Sequence, residues 1–403
     1  MLRLQHPLPE GYTSASQEDL AGRIANARAA LGSRLLILGH HYQREEVMRW
    51  ADARGDSFGL SRLAAANAHA EFVVFCGVHF MAESADILTS DGVKVILPDL
   101  NAGCSMADMA DLESVEEAWE SLAEVTDVER IVPVTYMNSS AALKAFVGRH
   151  GGAVCTSSNA RAILTWALDK GDKPAPGGAG SPALGEEGGL VGVPAGTSGS
   201  GGVMRPRRAF DKVLFFPDQH LGRNTGYQLG YSEADMEVWD PRLERGGLGE
   251  PAIKGATLLL WKGHCSVHQR FRPEHVQQFR AAHPEGLVIV HPECAREVVE
   301  LADRIGSTDY IIKAVSEVTP GTVVGVGTEI HLVQRLAAEH PDVDVQSLDP
   351  LICPCSTMFR IDAAHLCWVL EGLVEGDVRN RITVDPDTAS WARVALERML
   401  EIT

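Results

Sequence analysis

Short apolar runs recur along the chain: "RLLILGHHYQ", "EFVVFCGVHF", "VKVILPD", "RIVPVTYMN", "KVLFFPDQH", "ATLLLWKG", "GLVIVHPE" and "TVVGVGTEIH". Each has a strand-like apolar centre closed by polar residues. Helical periodicity fills the intervals between them, and that alternation predicts parallel α/β units. Ligands of such sheets collect beyond the carboxyl ends of the strands, so the residues that close each run carry the interest.

Those closing residues repeat in order. The first series is His40 and Tyr42, then Ser57, His79 and Cys104; the last is His291 and Glu293, then Thr308, His331 and Cys355. His40 to His291, Ser57 to Thr308 and Cys104 to Cys355 each span 251 residues, and His79 to His331 spans 252. Matching offsets between unlike strings point to internal duplication. A middle series keeps the order with stretched spacing: Tyr136 and Asn138, Ser157, His220, Cys265. The sequence therefore predicts three similar three-layer α/β domains with parallel sheets about a pseudo-threefold axis, their strand ends turned inward. Their bounds are 20–115, 116–272 and 273–379, with a tail, 380–403, that resembles the start of another repeat and is placed against the first domain. The Gly- and Pro-rich insertion near 172–204 lacks the composition to pack and is expected to form a surface loop. Each repeat cysteine precedes a serine and a helical pattern, so the serine is expected to cap a helix whose N-terminus faces the thiol.

Composition narrows the chemistry. Lys plus Arg number 36 and Asp plus Glu 54, a net charge of −18, which argues against general attraction to nucleic acid or anionic membrane. The N-terminal stretch lacks a signal-like apolar run, and no apolar segment is long enough to span a bilayer, so a cytoplasmic location is expected. Eight cysteines in 403 residues are too sparse for a disulfide scaffold.

Cysteine is ordinarily a small buried hydrophobe. A shared repeat position singles out Cys104, Cys265 and Cys355 as ligands, whereas Cys353, Cys76, Cys155, Cys294 and Cys367 read as bystanders. Three thiols with no fourth equivalent suit structural zinc poorly, since it is usually closed by four ligands. They suit a four-iron cluster with one iron free to act as a Lewis acid. An electron carrier would close its cluster with a fourth protein ligand. A hydro-lyase acting on a small hydroxy acid shares the open iron and remains an alternative. His291 and Glu293, alternate residues at one strand end, are the candidate acid and base; His79, His220 and His331 stand equally as site or structural residues.

"GHHYQREEV", "ADARGDSFGLS", "PDLNAGCSMADM", "VTYMNSSAALKA", "CTSSNA", "PDQHLGRN", "WKGHCSVHQRF", "VHPEC", "GST" and "CPCSTM" together resemble the quinolinate synthase family, iron–sulfur enzymes of de novo NAD biosynthesis. The resemblance runs from about Leu35 to Asp362. It implies a [4Fe-4S] cluster on Cys104, Cys265 and Cys355, and substrate contacts from His40, Ser57, Tyr136, Met137, Asn138, Ser157, His291, Pro292, Glu293 and Thr308. Tyr42, His291 and Glu293 would serve catalysis. The implied substrates are iminosuccinate and dihydroxyacetone phosphate, and functional coupling to an L-aspartate oxidase or dehydrogenase follows. Where the family often carries a second tyrosine, this chain has His41.

Overall fold

The computed structural model describes residues 5, 7–169, 211–351 and 354–402; the Gly-rich insertion and Cys353 lie outside them. Among the described residues fourteen strands form three sheets. The first holds β1 (Leu35–His40), β2 (Ala53–Gly55), β3 (Phe72–Cys76) and β4 (Lys94–Ile96). The second holds β5 (Ile131–Tyr136), β6 (Ala153–Cys155), β7 (Lys212–Phe216), β8 (Met236–Trp239) and β9 (Leu258–Trp261). The third holds β10 (Leu287–Val290), β11 (Arg304–Ile305), β12 (Val323–Gly327) and β13 (Asp344–Ser347). A last strand, β14 (Arg381–Ile382), pairs antiparallel with β4; all other pairings are parallel.

The spatial orders are β2-β1-β3-β4, β6-β5-β7-β9 and β11-β10-β12-β13, with β14 and β8 added at the outer edges of the first two. One connectivity thus occurs three times, as the repeated strand ends predicted. The central strands are the apolar runs: β3, β5, β7 and β9 are buried along their whole length, and helices cover their faces. Asp56, Ser140, Asp218, Ser307 and Asp362 cap helices on the strand-end side, each accepting the backbone N–H three residues on. Among the described residues no helix is long and apolar enough to cross a membrane.

The tail behaves differently from a fourth repeat. Its strand extends the first sheet, whereas its helix, Pro386–Glu401, packs mainly on the second repeat, against the helix Ala141–Arg149 and β6. Gly148 allows that approach, because a Cβ there would run into the Trp391 carbonyl. Gly148→Val is therefore expected to destabilise the protein by about 2–3 kcal/mol through overpacking against rigid backbone, read as a lowered urea midpoint with an unchanged slope.

Candidate active site and metal centre

Strand ends deliver the site residues in pairs. His40 closes β1, and its Nδ1 accepts the Tyr42 backbone N–H at 3.2 Å; His291 follows β10, and its Nδ1 accepts the Glu293 N–H at 3.3 Å. The same local loop is therefore built twice, and in both copies Nε2 is left as the proton-bearing nitrogen. Tyr136, closing β5, and Asn138 occupy the corresponding place in the second repeat. Ser57 and Thr308 open helices already capped by Asp56 and Ser307, so their hydroxyls are not spent on capping.

These residues meet in one cavity. Its wall includes His40, Tyr42, Ser57, Cys104, Tyr136, Asn138, Ser157, Cys265, His291, Glu293, Thr308 and Cys355. Met137 and Pro292, expected on substrate, stand behind the wall. Met137 is fully buried beside Ser84 Oγ, 3.4 Å from its sulfur, and Pro292 turns its carbonyl to Asn224. His79 and His331 do not line the cavity either and face Glu83 and Glu329 at the starts of their helices; His220 is likewise absent from it.

The three cysteines share one backbone device. After each comes a 3₁₀ turn, Ala107–Met109, His268–Arg270 or Met358–Arg360. The cysteine carbonyl accepts the N–H of Asp108, Gln269 or Phe359 at 3.1, 3.0 and 2.9 Å, while the sulfur receives the N–H of Ala107, His268 or Met358. This corrects the expectation that the serine after each cysteine caps an α-helix. The α-helices start later, at Leu112, Pro273 and Ala363, and the intervening turn spends its free amides on sulfur.

Burial pushes the Cys104 thiol up to about 12 and raises Cys265 and Cys355 as well. A wall that dry holds thiolates only when a cation faces them. Cys265 feels the charge of both Cys355 and Cys104, which places the three sulfurs as one group, and no other cysteine among the described residues lines the cavity. Cys76, Cys155 and Cys294 are buried elsewhere, in keeping with bystander roles. A second donor set, Cys265, His268 and Glu293, has ligand atoms within 4.8 Å of one another. Its imidazole and carboxylate are already hydrogen-bonded to each other at 2.7 Å, so the three thiols are the better match for a metal group.

The carboxylate heads a chain of polar contacts. Tyr136 Oη donates to Glu293 Oε1 at 2.5 Å, and Glu293 Oε2 meets His268 Nδ1. His268 Nε2 lies 3.2 Å from Thr328 Oγ1, which is 3.0 Å from Tyr42 Oη. Burial alone would raise Glu293, but His268 and the Tyr136 hydroxyl outweigh it and hold the carboxyl down at about 2. Burial lowers His40 and His291 to about 3, leaving both rings neutral, while His268 keeps its hydrogen bond to the carboxylate.

The chain matches the family model for the quinolinate synthetase A protein over residues 23–174 and 196–401. It belongs to the quinolinate synthase A family. The quinolinate synthase of Herpetosiphon aurantiacus is 51% identical over 400 residues, covering 98% of this chain and 96% of that one. Those of Nocardioides sp. and Rhodopirellula baltica are 50% and 48% identical over 395 and 408 residues, covering 98% of this chain and 92% and 94% of theirs.

Two residues of this family member's site escaped the sequence reading. His268 sits where the other repeats carry Ala107 and Met358, and Thr328 sits opposite Gly77. Polar substitutions at otherwise apolar or glycine register positions were the available signal.

The neutral histidines have a consequence for stability. Folded His40 and His291 bind protons near pH 3, whereas unfolded they do so near 6.5, so as pH falls below about 6.5 the unfolded state gains protons and stability drops. In metal-stripped protein the two rings together are expected to cost about 2–3 kcal/mol between pH 6 and 5. Urea titrations of wild type and the His40→Asn/His291→Asn double variant should show that slope reduced in the variant.

Proposed function

We propose that this chain is a quinolinate synthase, a cytoplasmic transferase that condenses iminosuccinate with dihydroxyacetone phosphate to give quinolinate, phosphate and water in NAD biosynthesis. The single observation that carries the proposal is the meeting of Cys104, Cys265 and Cys355, one from each repeat, in the same cavity as Glu293 and its polar chain. Relatives that bear this name at 48–51% identity over nearly the whole chain support it. The three thiolates would hold a [4Fe-4S] cluster, which when bound supplies a Lewis-acidic iron without a protein ligand.

The chain's own groups account for binding and proton movement. Both substrates are anions, yet among the described residues no Lys or Arg lines the cavity. Positive potential comes instead from the N-termini of the helices Ser57–Ala65 and Thr308–Ser316, with the hydroxyls of Ser57, Ser157 and Thr308 as donors. His40 and His291, neutral with Nε2–H, donate hydrogen bonds without adding a charge that would trap product. Asn138 offers an unpartnered Oδ1. Glu293, ionised, is the base that takes a carbon-bound proton, and His268 orients it through their hydrogen bond. Tyr42 and Tyr136, whose hydroxyls burial pushes well up, remain protonated; Tyr42 acts as donor to departing oxygen, and Tyr136 keeps its proton directed at Glu293. Enclosure of the cavity limits hydrolysis of the imine. Supply of iminosuccinate by an L-aspartate oxidase or dehydrogenase completes the scheme, with no role for nucleic acid or membrane.

The test is quinolinate formation from iminosuccinate and dihydroxyacetone phosphate by anaerobically purified protein. Cys104→Ala, Cys265→Ala and Cys355→Ala should lose iron and activity together, while Cys353→Ala keeps both. Glu293→Gln should keep iron and lose about 10³-fold in rate. A wild-type protein that carries a cluster but makes no quinolinate would transfer the proposal to the hydro-lyase.

A further inference from the structure

The second repeat departs from its siblings where it presents its cavity hydroxyl. In the first and third repeats Ser57 and Thr308 are the first residues of helices whose caps, Asp56 and Ser307, bond to Gly59 N and Tyr310 N. At the matching place in the second repeat the helix begins only at Ala160, and Thr156 to Asn159 form a non-helical turn. Ser157, which faces the cavity, therefore lacks a helix to hold it.

Asn159 stands at the N-cap of that delayed helix but does not cap it. Its Oδ1 accepts the Thr156 backbone N–H at 2.9 Å and the Thr156 hydroxyl at 3.2 Å. Its Nδ2 donates to the carbonyls of Met399 and Ile402, at 3.0 and 3.1 Å, at the far end of the last helix. All four capacities of one buried amide are used, two on the cavity turn and two on the tail. Ser158 Oγ adds a 2.6 Å bond to Asp56 Oδ2, the oxygen that Asp56 does not use for its own cap.

We infer that Asn159 is a positioning residue for substrate binding, and that the last helix acts through it to hold the Ser157 turn against the cavity. The tail thus substitutes for the missing first helical turn of the second repeat. The consequence for catalysis rests on the synthase proposal; the consequence for the turn does not.

Asn159→Ala, Asn159→Asp and a chain ending at Glu401 test the inference in the metal-loaded enzyme. Hydrogen exchange of the 153–160 segment reads the turn whatever the substrate, and steady-state kinetics with dihydroxyacetone phosphate read binding. Asn159→Asp keeps the acceptor for Thr156 but turns an anion toward the two tail carbonyls. Faster exchange at Thr156 and Ser157 is expected in all three proteins, with KM raised about tenfold, the effect of one misplaced hydrogen-bonding contact, and with kcat and iron content near wild type. Wild-type exchange in Asn159→Asp and in the shortened chain would overturn the role of the last helix. Faster exchange with an unchanged KM would overturn the role in substrate binding, and loss of iron together with kcat would reduce Asn159 to a general structural residue. Failure of the wild type to make quinolinate would sink the synthase proposal, leaving the exchange comparison to decide the turn.

Discussion

Three partly buried thiols and a buried carboxylate face one cavity that, among the described residues, is lined by neither lysine nor arginine, and the surrounding architecture answers to that concentration of negative potential. Bringing an unpaired charge out of water is costly enough that each such group needs a partner or keeps its proton. Glu293 finds His268 and Tyr136. The sulfurs find backbone amides of their turns, yet burial still holds each thiol above its ordinary range, which leaves a place for a metal group. The proposed anionic substrates would be met by helix N-termini, whose partial charges bring no titrating group with them.

Repetition supplies the scaffold and departures from it supply the chemistry. The 3₁₀ turn after each cysteine is the same in all three repeats. The strand-end pairs differ: His40 with Tyr42, Tyr136 with Asn138, His291 with Glu293. Only the second repeat places an imidazole, His268, inside its cysteine turn, and only the third follows its central strand with a hydroxyl, Thr328. Three copies of one fold thereby build a site without symmetry, and the polar chain from Tyr136 to Tyr42 crosses between all of them.

Much of this was legible in the chain. All eight apolar runs became strands of the three sheets, because central parallel strands are buried on both faces and need no polar alternation. The edge strands β2, β6, β8, β11, β13 and β14 went unread, being short, and several of them mixed in polarity. Register alone located Cys104, Cys265 and Cys355 and most of the cavity wall. It did not extend to Met137 and Pro292, which the family resemblance implied and which stand behind that wall, since adjacent residues at a strand end point to opposite sides of the sheet. It gave no hint of the bond from Asn159 to the last helix, which depends on packing between segments far apart in sequence. The destination of the tail helix was also hidden, since its amphipathic pattern fits either repeat.

The central claim is that one cysteine from each repeat holds a single metal group, and its most direct measurement is the iron and acid-labile sulfide content of the wild-type protein purified without oxygen. About four irons and four sulfides per chain are expected for a cluster on three thiolates. Stoichiometric zinc, or protein without metal after anaerobic reconstitution with iron and sulfide, would contradict it.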